Sequence, residues 1–88
     1  ALFPLGRTSI TPGALEACLS FPMPPDLLFV LHVTGNWQTM DCEDQRANRR
    51  AINDGSRVFS AYEFGTFRFF VITEADRSST TILLAEEY

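Results

Sequence analysis

The chain has 88 residues, 45% apolar and 12% aromatic, with eight phenylalanines. That is enough for one small core over 1–88, and it excludes a disordered tail. Seven arginines against eleven carboxylates, with no lysine, leave a net charge of −4, which argues against duplex DNA as a partner and suits a basic protein surface.

Two cysteines, Cys18 and Cys42, are too few for a disulfide-stapled scaffold. Reduced thiols and a cytoplasmic setting are expected. The longest apolar run, Leu27–Leu31, is far short of the roughly 20 residues that cross a membrane. Ala1–Leu5 has neither a basic region nor an apolar stretch of signal-peptide length.

Leu5–Ile10 reads as a short extended segment, a candidate edge strand. Thr11-Pro12-Gly13-Ala14-Leu15-Glu16 is a helix start. Thr11 serves as N-cap and Pro12 takes the first helical position, where its missing N–H costs nothing. Ala14, Leu15, Cys18 and Leu19 then form one apolar face, and Phe21-Pro22 with Pro24-Pro25 ends the helix. Pro25–Val33 reads as a helix or as a buried strand; its proline start and the stop at Gly35 favour helix, with Leu27, Leu28 and Leu31 on one face. Trp37 is expected in a loop, folded over the core edge. Asp41–Asp54 reads as a polar helix ending at Gly55, with Asp41, Glu43 and Asp44 first and Arg46, Arg49 and Arg50 later, an order that complements the macrodipole. Glu43–Arg46 and Arg50–Asp54 have the spacing of helical ion pairs, each worth about 0.2–0.5 kcal/mol.

From Arg57 the period changes to two. Strands are expected over 57–63, 67–73 and 80–85, with a tight connection at Phe64-Gly65-Thr66. Thr73-Glu74-Ala75-Asp76 has the form of a capping signal for a single helical turn. The expected fold is α+β: an antiparallel sheet of three to four strands, covered on one face by about three short helices (12–20, 25–33 and 41–54). Both sheet faces carry large apolar groups. The second face must then be covered by the N-terminal segment, the Trp37 loop or a second molecule, which makes a homodimer through the sheet one expectation.

No catalytic, cofactor-binding or metal-ligating set emerges. His32 is the only histidine and reads as a structural residue at a helix end, where its protonated form would suit the C-terminus. Cys42 lies among Asp41, Glu43 and Asp44, whose charge opposes a thiolate. Glu74 and Asp76 read as turn residues with Arg77. No phosphate loop, G-x-G-x-x-G or G-x-S-x-G is present. A non-enzymatic module is therefore expected, with Trp37, Asp41, Glu43, Asp44, Tyr62, Phe67 and Phe69 as partner-binding residues. The alternative is a nucleic-acid accessory protein using Arg46, Arg49 and Arg50 on phosphate.

Several stretches together resemble a family. They are Thr11–Leu15, His32-Val33-Thr34-Gly35-Asn36-Trp37, Glu43-Asp44 with Asn48, and Ile72–Tyr88. The chain is similar, over 11–88, to short bacterial proteins of plasmids and integrative elements, labelled plasmid-related and sometimes as parts of type I restriction systems. Asn36 stands where that family tends to have Asp, and Ala85 where it tends to have Pro. The resemblance carries over no established active site. It implies a setting on mobile DNA, where small acidic proteins block host defence nucleases or CRISPR complexes.

Overall fold

The computed structural model describes residues 1–37 and 39–88. Its elements follow in the order β1 (Arg7–Ile10), α1 (Pro12–Ser20), α2 (Pro25–Val33), α3 (Cys42–Asp54), β2 (Val58–Phe64), β3 (Phe67–Thr73), β4 (Ser79–Leu84) and a 3-10 turn at Ala85–Glu87. One four-stranded sheet has the order β1-β4-β3-β2. The fold is α+β, as expected.

The helices begin and end where the punctuation predicts. Thr11 Oγ1 accepts from the Ala14 N–H at 3.2 Å, and Asp41 Oδ1 from the Asp44 N–H at 2.9 Å. Gly55 closes α3 at φ +80°, a left-handed C-cap that glycine takes without strain. The Ala51 carbonyl at this end also accepts from Arg77 Nη2 at 3.0 Å. α3 has no basic residue in its own last turn, so Arg77 supplies that charge from the β3–β4 turn.

β2, β3 and β4 form the expected antiparallel meander, with Gly65-Thr66 joining Phe64 to Phe67. The short N-terminal segment does add an edge strand, but β1 runs parallel to β4. The sheet is therefore mixed rather than antiparallel. No turn joins β1 to β4, so no local signal sets their direction. Gly6 admits the close approach: a Cβ there would lie 2.5 Å from backbone atoms of Arg77 and Ser78.

The inner face carries Val58, Ser60, Tyr62, Phe69, Val71, Thr73, Thr80, Ile82 and Leu84, all buried. α1 and α2 cover it through Ala14, Ala17, Cys18, Leu28 and His32, with Phe3, Met23 and Trp37 filling between. The coverage differs from the expected apolar faces. Leu15 and Leu19 point to solvent, Leu19 being 72% exposed, and Leu27 is exposed beside buried Leu28. α1 meets the sheet through its small residues, which leaves its leucines outside.

α3 completes the cover from the side, adding buried Ala51 and half-buried Ile52 to the same core. α3 also flanks β2, where the Asn48 carboxamide bonds both backbone groups of Phe59. Its Nδ2 donates to the Phe59 carbonyl at 2.8 Å, and its Oδ1 accepts from the Phe59 N–H at 3.0 Å. The side chain stands in for a fifth strand and closes that edge.

Neither expected helical ion pair forms. Asp54 accepts from the Ser56 N–H instead; among the described residues the ion pair present is the exposed Arg57–Glu74 at 3.8 Å. The expected helical turn after Thr73 is absent too. The Thr73 hydroxyl points inward, Asp76 accepts from the Ser78 N–H, and Arg77 takes φ +62°.

Replacing Asn48 with Ala strands two backbone groups of Phe59. Urea unfolding should show a loss of about 1–3 kcal/mol. Asn53→Ala, exposed on the same helix, should stay within about 0.5 kcal/mol of the parent.

Candidate interaction surface

Two constellations gather polar side chains: one inside the core, one on the outer face of the sheet. The inner one is a hydrogen-bond chain. Trp37 Nε1 donates to Ser60 Oγ at 2.8 Å. Ser60 Oγ lies 2.5 Å from His32 Nδ1, and His32 Nε2 lies 2.8 Å from Thr73 Oγ1. Thr73 Oγ1 is 2.6 Å from Thr80 Oγ1, which donates to the Leu5 carbonyl at 2.7 Å.

Proton directions follow from the two ends. A carbonyl only accepts and an indole N–H only donates. Thr80 therefore donates to Leu5 and accepts from Thr73. Thr73 accepts from His32 Nε2–H, and Ser60, accepting from Trp37, donates to bare Nδ1. Every link is satisfied by one tautomer of neutral histidine. Burial agrees: it pushes the His32 pKa down from 6.5 to about 4. His32 is thus the structural histidine expected at a helix end, held neutral rather than in the protonated form that would suit the C-terminus. The ring is wholly buried, and a second proton would leave Nδ1–H facing a hydroxyl already committed to donating.

A Ser–His contact of this length has the geometry of a nucleophile and its base. Here Ser60, His32, Thr73 and Thr80 all have zero exposure, so no substrate meets them. The chain orders the core. Cys42 is exposed at the start of α3, whereas Cys18 is buried, which raises its thiol pKa. Among the described residues no group of three or more His, Cys, Asp or Glu side chains converges to hold a metal ion.

The outer constellation lies where α3 rises beside the sheet. The outward residues are Phe59 and Ala61 on β2, Arg68, Phe70 and Ile72 on β3, and Thr81 and Leu83 on β4, by register and alternation. Phe59, Phe70 and Leu83 are half-buried, and Ala47 and Asn48 of α3 border the two rings on one side. The ring of Tyr88 packs edge-on to Phe59 and Phe70, at 5.4 and 5.8 Å, and remains 66% exposed. The Arg68 guanidinium stands 5.5 Å over Phe70. Next to this aromatic floor, Asp41, Asp44, Glu63 and Arg68, with Thr39 and Met40, line a cleft of about 260 Å³. Three carboxylates there face one cation, and none forms an ion pair within 4 Å among the described residues.

This surface holds some of the residues expected from sequence and not others. Asp41 and Asp44 line the cleft, and Glu43 is exposed on the same first turn. Trp37, Tyr62 and Phe69 do not take part. They are 2%, 4% and 0% exposed, with the Tyr62 hydroxyl donating to the Asn36 carbonyl at 3.0 Å. Phe67 is half-buried against the inner core. Trp37 is drawn inside because its N–H finds Ser60. Arg46, Arg49 and Arg50 are exposed on α3; Arg46 and Arg50 share a shallow depression with Glu43 and Asp44, so their charge is interleaved with acid.

Glu63, Arg68 and Tyr88 are missed by sequence reasoning, and Phe59 and Phe70 are passed over among the sheet aromatics in favour of Tyr62, Phe67 and Phe69. The available signal was alternation: Phe59 and Phe70 have the opposite parity to Tyr62 and Phe69. Family models, curated proteins and solved structures return no match to this chain.

The buried histidine gives a pH signature. The unfolded state gains the His32 proton near pH 6.5, the folded state only near pH 4. Its contribution is complete above pH 6.5 and is lost as pH falls from 6.5 to 4, by about 3 kcal/mol in total. Urea midpoints should fall across that window in the parent. A His32→Leu variant, less stable throughout, should lack that component of the slope.

Proposed function

We propose that this protein is a non-enzymatic binding module, and that its groove between α3 and the outer sheet face holds a basic segment of a protein partner. The carrying observation is the aromatic floor of Phe59, Phe70 and Tyr88, bordered by α3 and ending in a cleft with three carboxylates and one arginine. An Arg or Lys side chain of the partner enters the cleft beside Asp41, Asp44 and Glu63. Its neighbouring apolar side chain lies on the rings. Aromatic anchors beside unpaired opposite charge give both affinity and orientation.

The resemblance to proteins of plasmids and integrative elements supports a setting. The partner is then a host defence complex, a restriction or CRISPR nuclease, whose nucleic-acid groove is basic. Such a partner is met in the cytoplasm. The acid-interleaved arginines of α3 support this reading over direct phosphate contact.

Cleavage by purified restriction and CRISPR complexes, with and without the protein, tests the reading. The parent should inhibit at least one of them. Asp44→Arg and Phe70→Asp, both folded by circular dichroism, should each weaken inhibition about tenfold or more. Absence of inhibition and of co-purification with any such complex removes the proposal; so does inhibition unchanged in both variants.

A further inference from the structure

We propose that the free edge of β1 pairs with β1 of a second copy of this chain, so that two four-stranded sheets join into one of eight strands. The two edges of the sheet are treated differently by the fold. At β2 the outward N–H and carbonyl of Phe59 are both occupied by Asn48, and α3 runs alongside. At β1 nothing equivalent exists among the described residues. The Arg7 N–H donates to the Ser78 carbonyl and the Thr11 N–H to that of Ile82. Alternate residues of a strand turn to opposite sides, so the N–H and carbonyl groups of Thr8 and Ile10 point away from β4. No described side chain or backbone group bonds them. Arg7, Thr8 and Ser9 are exposed. The strand has no proline, lysine or bulge within it to discourage pairing.

The edge is complementary to itself. An antiparallel pair centred on Ser9 opposite Ser9 of the second copy sets Thr8 against Ile10 and Ile10 against Thr8. All four outward groups of each copy are then bonded, and Thr8 packs beside Ile10 on the inner face. Gly6, at φ +66°, and Pro12 bound the strand, which fixes this register. Electrostatics favours the same occupant. Two chains of net charge −4 repel, but 1–13 contains no carboxylate and one cation, Arg7. Arg7 stands opposite Thr11 of the other copy, not opposite Arg7.

The central position makes the test. Ser9 faces outward, exposed, bonded only to the Thr81 hydroxyl at 2.9 Å. In the pair its two copies form a non-hydrogen-bonded site, where side chains come closest. Light scattering after size exclusion, over a range of loading concentrations, should give the mass of two chains for the parent at the high end. Ser9→Glu alone and Ser9→Lys alone should each give the mass of one chain. An equimolar mixture should recover the two-chain mass, because opposite charges now meet. A Thr8→Pro variant removes only an outward N–H and leaves the bonds to β4 intact. It too should be folded and monomeric, with the Ser9 set deciding alone if it does not fold. A parent that is monomeric at every concentration overturns the proposal. So does a dimer that survives in both single Ser9 variants, or a mixture that stays monomeric.

Discussion

The structure depends on one constraint: a wholly buried imidazole must have both ring nitrogens bonded. His32 projects from the last turn of α2 onto the sheet, and its two partners lie on different strands, Ser60 on β2 and Thr73 on β3. The demand propagates. Ser60 draws in Trp37, and Thr73 engages Thr80 and through it the Leu5 carbonyl. One side chain thereby ties α2, the loop before α3, three strands and the N-terminal segment. Leaving any one of these buried groups unpaired costs about 1–3 kcal/mol, a large share of what a domain this small retains. No buried side-chain nitrogen or oxygen among the described residues lacks a partner.

That constraint works with hydrophobicity in making one sheet face the core, since the other face also carries the charged pair Glu63 and Arg68. The inner face carries three hydroxyls, Ser60, Thr73 and Thr80, while half-buried Phe59, Phe70 and Leu83 go outward, with buried Ile72 beneath them. A face with three hydroxyls is an acceptable interior only because the histidine and tryptophan consume them. The aromatic groups displaced to the other side become a surface, and the terminal Tyr88 partly shields it. The Glu87 carboxylate holds this end in place. It accepts from the Thr11 hydroxyl at 2.7 Å and the Leu84 N–H at 2.8 Å, bonds that lower its pKa.

The legible parts of the chain were those set by local chemistry. Proline, glycine and capping residues marked all three helices, and alternation with Gly65-Thr66 marked the hairpin. What stayed hidden needed knowledge of distant partners. The charged Glu63 and Arg68 share the parity of Phe59 and Phe70, but the opposite parity carries hydroxyls that fit an interior only through a histidine 28 residues before Ser60. For the same reason Trp37, Tyr62 and Phe69 read as surface anchors and proved to be core. Thr73 looked like a cap because its partner, His32, is remote in sequence. The direction of β1 was equally beyond local signals, since its neighbour β4 lies some 70 residues away. Of the candidate surface, the acidic turn at Asp41 and Asp44 was legible, because exposed carboxylates at a helix start are a local pattern. Its aromatic half was not, because it depended on parity.

The groove and the free edge lie at opposite sides of the sheet, and their geometry is compatible. Opposed residues of an antiparallel pair point to the same face, so joining two β1 edges keeps both outer faces on one side. Each groove, beside β2, then sits at a far end of the eight-stranded sheet. A dimer built this way carries two identical acidic and aromatic sites on one continuous face, but strand twist of roughly 20–25° per step turns them toward different directions, so each engages its own partner segment. Closing the β2 edge with Asn48 also has a purpose in this arrangement. Were both edges open, pairing would continue past two copies into a filament, and the capped edge stops assembly at a closed pair.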